Sequence, residues 1–126
     1  MGRYIPIPVE LFTLELNPIE IAIYIFLLSC EDRKTYTCYP SFHTIAKNVR
    51  VSKNTVQKYV RTLCEKQLIE TTQTKVTAYD GTVRNGTLLF HILPIQTAVN
   101  CLMQKKFALA ELERQKRAAQ KKLSAS

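Results

Sequence analysis

Residues 52–67 of this 126-residue chain concentrate side chains that can bond to the bases of a nucleic acid. Lys53, Asn54, Gln57 and Lys58 recur at a spacing that puts them on one face of a helix. Asn and Gln can form paired hydrogen bonds with adenine, and Lys can bond to guanine. We therefore predict that these four side chains contact base edges in the major groove of DNA.

Hydroxyl and cationic side chains in and around this stretch could bond to phosphate. Ser and Thr hydroxyls can donate hydrogen bonds to phosphate oxygens, while Lys and Arg add opposite charge. The phosphate candidates are Ser41, Thr44, Lys47, Arg50, Ser52, Thr55, Arg61, Lys75 and Arg84. Base and phosphate candidates together predict double-stranded DNA as the partner.

Two short helices must position these residues, because one helix-start signal occurs twice. Ser41 precedes the apolar pattern of FHTIAKNV, and Ser52 precedes a second pattern eleven residues later. Val56, Val60 and Leu63 in the second pattern follow the helical period, which leaves the Lys and amide side chains on the outer face. Two short helices joined by a tight turn predict a helix-turn-helix with the second as the recognition helix, residues 52–67.

Further elements precede and follow this pair. Asn17, Pro18 and Glu20 have the types and order of a capped helix start, before a run that is apolar on nearly every side. Residues 68–93 read as two strands joined near the turn pairs Asp80-Gly81 and Asn85-Gly86, with Arg84 near the tip. The predicted fold class is mainly α with a small β-hairpin: a winged helix-turn-helix with a three-helix core, a two-stranded wing and a long C-terminal helix.

The predicted domain boundary lies after residue 94. Residues 1–94 would form the winged domain with its N-terminal arm, in which Phe12 packs against the core, and residues 95–126 would form a basic helix. On that helix a seven-residue repeat places Lys105 and Lys116 on the same seam as six apolar side chains, the last two being Ala119 and Leu123. The dimerisation candidates on the seam are Ala98, Leu102, Leu109 and Leu112. We therefore expect a homodimer.

Composition limits the other functions. The net charge is +8, and residues 41–70 and 94–126 carry most of it, which favours a polyanionic partner. The apolar run 19–28 is too short to span a bilayer, so we expect no membrane contact and a cytoplasmic protein. Four widely spaced cysteines fit a reduced protein with buried or half-buried thiols. No enzymatic, metal or cofactor motif is recognisable, and we predict no enzyme activity, no metal, no cofactor and no small-molecule effector.

The stretch from Tyr39 to Ile69 resembles the winged helix-turn-helix of plasmid, phage and mobile-element proteins. These include the N-terminal domains of replication initiators and DnaD-like proteins, and related bacterial transcriptional regulators. The upstream segment Ile7–Leu27 is similar to the same domains. The chain departs from the pattern at Arg50 and at Gln67, where Gly is usual. The resemblance implies DNA binding, with a turn that is either rebuilt or strained at Arg50.

Three functions remain open on these grounds. The first is a sequence-specific bacterial transcriptional regulator that reads DNA as a dimer. The second is a replication initiation or partition accessory protein of a plasmid, phage or conjugative element. The third is a protein-interaction winged helix whose basic tail binds nucleic acid without specificity.

Overall fold

The computed structural model describes residues 4–124, with side chains described as far as Lys121. The ends of the predicted arm and tail helix, residues 1–3 and 125–126, lie outside the described residues. A 3-10 helix, Val9–Thr13, leads into the rest of the fold. The further elements are α1 (Pro18–Cys30), β1 (Thr37–Cys38), α2 (Phe42–Val49), α3 (Lys53–Glu65), β2 (Ile69–Thr77), β3 (Val83–Ile92) and α4 (Ile95–Ser124). This order is a winged helix-turn-helix with a long C-terminal helix, as the sequence predicts.

Helix α1 starts at the predicted capping box. The Asn17 side chain accepts a hydrogen bond from the backbone N–H of Ile19, and the Asn17 N–H donates to Glu20 Oε1 at 2.9 Å. Such a cap contributes about 1 kcal/mol to helix stability. Ile23 and Leu27 are fully buried one turn apart, which fixes the face of α1 that meets the other helices. The N-terminus of α1 is therefore held by side chains rather than by water.

A left-handed residue makes the turn between α2 and α3. Arg50 has φ 65° and ψ 48°, and its backbone N–H bonds to the Ala46 carbonyl at 2.8 Å. Gln67, after α3, also has a positive φ of 61°. Both are the positions where the resembled pattern has glycine. The turns therefore keep the glycine conformation, at a cost of about 1 kcal/mol for each non-glycine residue.

The sheet has three strands rather than the two predicted. Its order is β1-β3-β2, all antiparallel, and β1 pairs Thr37 with His91 and Cys38 with Phe90. The sequence analysis missed β1 because two residues are too short to show an alternating pattern. The wing is the β2–β3 hairpin, in agreement with the predicted range 68–93.

The Asn85-Gly86 pair does not form a turn. The hairpin turns at Asp80-Gly81, whereas Asn85 and Gly86 lie inside β3 beside a bulge. A Cβ on Gly86 would lie 2.5 Å from Thr74 Oγ1, so no larger residue fits without a shift. The glycine is therefore required by a close approach within the wing and not by chain reversal.

One apolar core joins the three helices and the sheet. Phe90 on β3 is fully buried and its ring contacts that of Phe42, at the start of α2, with a centroid distance of 6.4 Å. The other fully buried large side chains are Leu11, Ile23, Leu27, Ile45, Val56, Leu63, Leu68 and Ile69. Phe12 is 73% exposed, so the prediction that it packs on the core is wrong. The short 3-10 helix directs Leu11 inward instead.

The cysteines are reduced in this structure and mostly covered. All four are free: Cys38 is buried, Cys64 and Cys101 are half-buried, and Cys30 is exposed. Burial raises the pKa of the Cys38 thiol to about 12, with a smaller contribution from Cys30 and Glu31. Cys38 therefore stays protonated and behaves as a small core residue.

Only the first turns of α4 pack on the domain. Ala98 is 1% exposed and belongs to the core, and Leu102 packs against it. Lys106 Nζ lies 3.0 Å from Glu15 Oε1, after the 3-10 helix. From Met103 to Lys121 every described side chain except that of Glu111 is exposed. The distal part of α4 therefore leaves the domain that its first part stabilises.

Candidate nucleic-acid interface

Helix α3 presents the four base-edge candidates on its solvent side. Val56 and Leu63 are fully buried on the inner face of α3. The exposed residues on the outer face are Lys53, Asn54, Gln57, Lys58 and Arg61. Lys58 Nζ lies 5.2 Å from the centroid of the Tyr59 ring, a cation–π contact. The structure thus brings the base-edge candidates together on one exposed helix face.

The Ser and Thr candidates form two matching caps. Ser41 Oγ accepts a hydrogen bond from the Thr44 N–H at 3.1 Å, and Ser52 Oγ accepts one from the Thr55 N–H at the same distance. The two hydroxyls of each pair also bond to each other, at 2.9 Å in α2 and 2.8 Å in α3. Because a hydroxyl has one hydrogen, each pair keeps one hydrogen for an external acceptor. Each cap can therefore donate to one phosphate oxygen while it holds its helix.

The two cations of the wing lie on opposite faces of the hairpin. Lys75 pairs with Asn85 across the strands, and Arg84 pairs with Val76. Directly paired residues share a face, and neighbouring residues alternate. Lys75 therefore shares its face with Asn85, and Arg84 projects from the other side. The two predicted phosphate contacts of the wing cannot meet the same stretch of one strand.

We call the Lys and Arg side chains of α2, α3, the turn between them and the wing the unpaired cations: Lys47, Arg50, Lys53, Lys58, Arg61, Lys75 and Arg84. Within residues 4–121, none of them forms an ion pair with a carboxylate, and neither do Arg33, Lys34, Lys105, Lys116 and Arg117 elsewhere in the chain. The unpaired cations lie on α2, on α3, on the turn between these helices and on the wing. The caps at Ser41 and Ser52 start the two helices, and the left-handed residues Arg50 and Gln67 follow their ends. The charge of the unpaired cations is therefore exposed and, among the described residues, has no carboxylate partner.

A second group, the paired cations, consists of Lys66, Lys106 and Arg114. Lys66 Nζ lies 3.0 Å from Oε1 of Glu20, a carboxylate that is 3% exposed and also accepts a hydrogen bond from the Thr62 hydroxyl at 2.7 Å. Burial pushes the pKa of Glu20 upward, but the hydrogen bonds from Asn17, Thr62 and Lys66 and the charge of Lys66 hold it below its ordinary value. Glu20 is therefore ionised and ties α1 to the end of α3.

Three side chains beside the recognition helix are not among the predicted site residues. His43, Gln73 and Asn85 line a cleft between the starts of α2 and α3 and the wing. No short motif marks them, because they come from three elements that only the fold brings together.

The dimerisation candidates divide into two pairs. Ala98 and Leu102 pack within their own chain, whereas Leu109 and Leu112 are 61% and 48% exposed. Met103 and Phe107 on the same helix are also exposed, at 65% and 70%. The exposed apolar side chains of α4 therefore lie in its distal part.

Comparisons with known proteins agree with this fold. Residues 14–69 match the sequence pattern of a family described as a helix-turn-helix domain. A possible transcriptional regulator from Methanosarcina mazei Go1 superposes with a TM-score of 0.55 at 18% identity, over 83% of this chain and 79% of that chain. This likeness shows the fold, and with the family match it shows that the chain contains a winged helix-turn-helix domain.

Other solved structures match at lower TM-scores. The S. aureus MepR–DNA complex gives 0.45 at 16% identity, over 92% of this chain and 85% of that chain. The zinc-responsive MarR family member ZitR of Lactococcus lactis gives 0.45 at 16% identity, over 79% of this chain and 60% of that chain. The search of curated proteins gives no significant match. Within residues 4–124, no helix has the length and apolar content to cross a bilayer.

Proposed function

We propose that this chain is a cytoplasmic DNA-binding protein, a sequence-specific bacterial transcriptional regulator with α3 as its recognition helix and the β2–β3 hairpin as its wing. The observation that carries the proposal is the set of unpaired cations, which surrounds the exposed amide side chains of α3. Within the described residues none of these cations takes part in an ion pair that holds the fold, as Lys66 does with Glu20. A polyanion supplies the missing charge.

The dimensions of α3 suit this role. An α-helix with its side chains is about 10–12 Å wide, and the major groove of B-DNA is about 12 Å wide. In the proposed complex α3 enters the groove with its N-terminal part, so that Asn54 and Gln57 meet base edges. Lys47, Arg50 and Arg61, with the hydroxyls of the two caps, meet phosphates on either side. Phosphate contacts hold the protein in register, and the amide contacts supply the sequence preference.

We further propose that two chains associate through the distal part of α4. Leu109 and Leu112 lie on one seam and are exposed in a single chain. Burial of these two side chains against a second copy would stabilise the dimer. Lys116 on the same seam would limit the contact, because a charge there favours one register and weakens the pairing. A dimer would place two recognition helices on two half-sites of one DNA.

Sedimentation equilibrium tests the dimer. Replacing Leu109 and Leu112 together with Glu should weaken association at least about tenfold, since two apolar contacts become like charges in the dimer. Met103→Glu is the matched control on the same helix, because Met103 lies off the seam. A double variant that associates as strongly as the wild type would refute the proposed dimer surface.

Selection of DNA from a random pool tests the main proposal. Fluorescence anisotropy would measure binding of a random-sequence duplex pool over a range of salt concentrations, and the bound duplexes would be sequenced. We expect a steep salt dependence and enrichment of a repeated half-site. Equal binding of all duplexes, unaffected by Asn54→Ala with Gln57→Ala but abolished by removal of the basic tail, would favour the third function instead. That tail is RQKRAAQKK, residues 114–122, which carries five basic and no acidic residues.

The proposal includes no catalysis and no small-molecule effector. It also places transcriptional regulation ahead of a replication or partition role, since one solved structure with this fold is that of a possible transcriptional regulator. A metabolite that raises the melting temperature of the protein would contradict the absence of an effector.

A further inference from the structure

A cleft of about 520 Å³ separates the helix-turn-helix from the wing. One wall consists of residues 40–43 at the start of α2 and of Lys53 at the start of α3. The other wall consists of Gln73 on β2 and residues 85–88 on β3. Since Lys53 is also one of the unpaired cations, the cleft adjoins the surface that the proposed function assigns to DNA.

The lining of the cleft suits a chain in which anionic phosphates alternate with less polar sugars. His43, Lys53 and Asn85 are exposed, and within the described residues their side chains have no hydrogen-bond or ion-pair partner. The cap pair of Ser41 and Thr44 keeps one hydroxyl hydrogen beside them. Phe42 and Leu88 add apolar surface to the two walls, and no described lining residue is acidic. A phosphate could bond to the polar side chains while a sugar packs on the apolar surface.

The grooves of DNA determine what occupies such a cleft. In B-DNA a single phosphodiester strand separates each major groove from the neighbouring minor groove. We infer that this strand runs through the cleft when α3 lies in the major groove and the wing lies over the adjacent minor groove, and that His43, Lys53 and Asn85 bond to its phosphates. This inference rests on the proposed function and assigns residues that function does not require.

One earlier assignment changes. Lys53 becomes a phosphate contact and not a base-edge contact, because it lines the cleft. Lys75 shares a face with Asn85 and therefore continues the contacts along the same strand. Arg84, on the other face of the hairpin, meets the opposite wall of the minor groove. The two wing cations then hold two different strands.

The bulge in the wing positions the wall that bears Asn85. Gln73 Nε2 donates to the Gly86 carbonyl at 2.7 Å and to the Thr74 carbonyl at 3.2 Å, which uses both hydrogens of its amide. Gln73 is therefore a positioning residue that fixes the bulge and does not donate to phosphate. Thr74 also donates to the Thr87 carbonyl across the same bulge.

Binding of a random-sequence duplex pool, and of a single duplex selected from it, tests the inference. Lys53→Gln removes the cation, and Asn85→Asp places a like charge beside the expected phosphate. The matched controls are Lys34→Gln, an exposed cation in the loop before β1, and Thr72→Asp, which adds the same charge to the opposite face of the wing. Circular dichroism melting of each variant checks that the fold is kept.

We expect Lys53→Gln to weaken binding about five- to tenfold, equally on both DNA samples, and to reduce the salt slope by about 0.9. Asn85→Asp should weaken binding about tenfold, and the two controls by less than about twofold. In the selected duplex, a neutral methylphosphonate at one linkage should remove most of the Asn85→Asp effect.

Two results would overturn the inference while leaving the proposed function in place. One is a Lys53→Gln loss confined to the selected duplex with an unchanged salt slope, which would make Lys53 a base reader. The other is an Asn85→Asp effect no larger than that of Thr72→Asp. If the wild type binds neither DNA sample, both the proposed function and the inference fail.

Discussion

The paired and unpaired cations of this chain are chemically alike and differ in what surrounds them. Lys66 meets a buried carboxylate, and Lys106 joins α4 to the segment after the 3-10 helix. The cations of α2, α3 and the wing meet no carboxylate among the described residues. A nearby carboxylate therefore separates the cations that hold the fold from those whose charge is available to a partner. The number of basic residues does not make that distinction.

The largest expected effect comes from removing the carboxylate that pairs with Lys66. Glu20→Ala removes hydrogen bonds to Asn17, Thr62 and Lys66 and leaves a half-buried ammonium without its partner. Urea denaturation should show a loss of about 3 kcal/mol in the free energy of unfolding. Glu113→Ala, an exposed carboxylate on α4, is the control and should change stability by less than about 0.5 kcal/mol. Below the melting transition, DNA affinity of Glu20→Ala should equal that of the wild type.

The second largest effect is expected on DNA affinity, from the exposed amide side chains of α3. Asn54→Ala combined with Gln57→Ala should cost about 2 kcal/mol in binding of the selected duplex, because each amide contact discriminates between bases. Binding of the random pool and the free energy of unfolding should stay unchanged, as both side chains are exposed. Fluorescence anisotropy on both DNA samples measures this. An equal loss on both would mean that the amides do not read sequence.

Acid should reduce the stability that the ionised Glu20 carboxylate gives to the fold. The pKa of Glu20 lies below its ordinary value of 4.5, so its stabilisation is full above that pH and is lost as the pH falls through the folded-state pKa. The stability of the wild type relative to Glu20→Gln should therefore fall as the pH drops below about 4.5.

The quantity to measure is the difference in the free energy of unfolding between the wild type and Glu20→Gln. The difference is needed because protonation of Glu31 changes stability in the opposite direction. Burial raises the pKa of Glu31, so its protonation in acid favours the fold. Glu31 is the same in both proteins and cancels. A difference that is constant from pH 7 to pH 3, measured by urea denaturation, would contradict the ionised state of Glu20 in the fold.

The smallest effect compares the two left-handed turns. Arg50→Gly and Gln67→Gly should each raise the free energy of unfolding by about 0.5 kcal/mol, because relief of the positive φ exceeds the added freedom of the unfolded chain. Only Arg50→Gly should weaken DNA binding, with a salt slope lower by about 0.9, since Gln67 carries no charge. Thermal melting and anisotropy give the two readings. Equal DNA affinity of both variants would exclude Arg50 as a phosphate contact.

Much of the helical part was predictable from the sequence because its signals are local. The caps at Asn17, Ser41 and Ser52 occur where the sequence predicts them, since a cap depends on side chains within three residues of the helix start. The apolar period of α3 likewise determined which face is buried. The exposed position of the four base-edge candidates follows directly from that period.

The misread features depend on partners distant in the chain. Asn85-Gly86 has the composition of a turn, yet the pairing of β3 with β2 places it in a strand, where Gly86 makes room for Thr74. Strand β1 exists only because β3 offers it a free edge. Ala98 fits a dimer seam by its spacing, but the domain already covers it.

The sequence by itself determined the starts of α1, α2 and α3, the outer face of α3 and the basic character of the chain, because helical caps and periods act over a few residues. The tertiary structure decided which cations are compensated, which faces of the wing Lys75 and Arg84 occupy, and where α2, α3 and β3 enclose a cleft. Those properties depend on the distance between elements far apart in the chain, and strand pairing and packing set that distance.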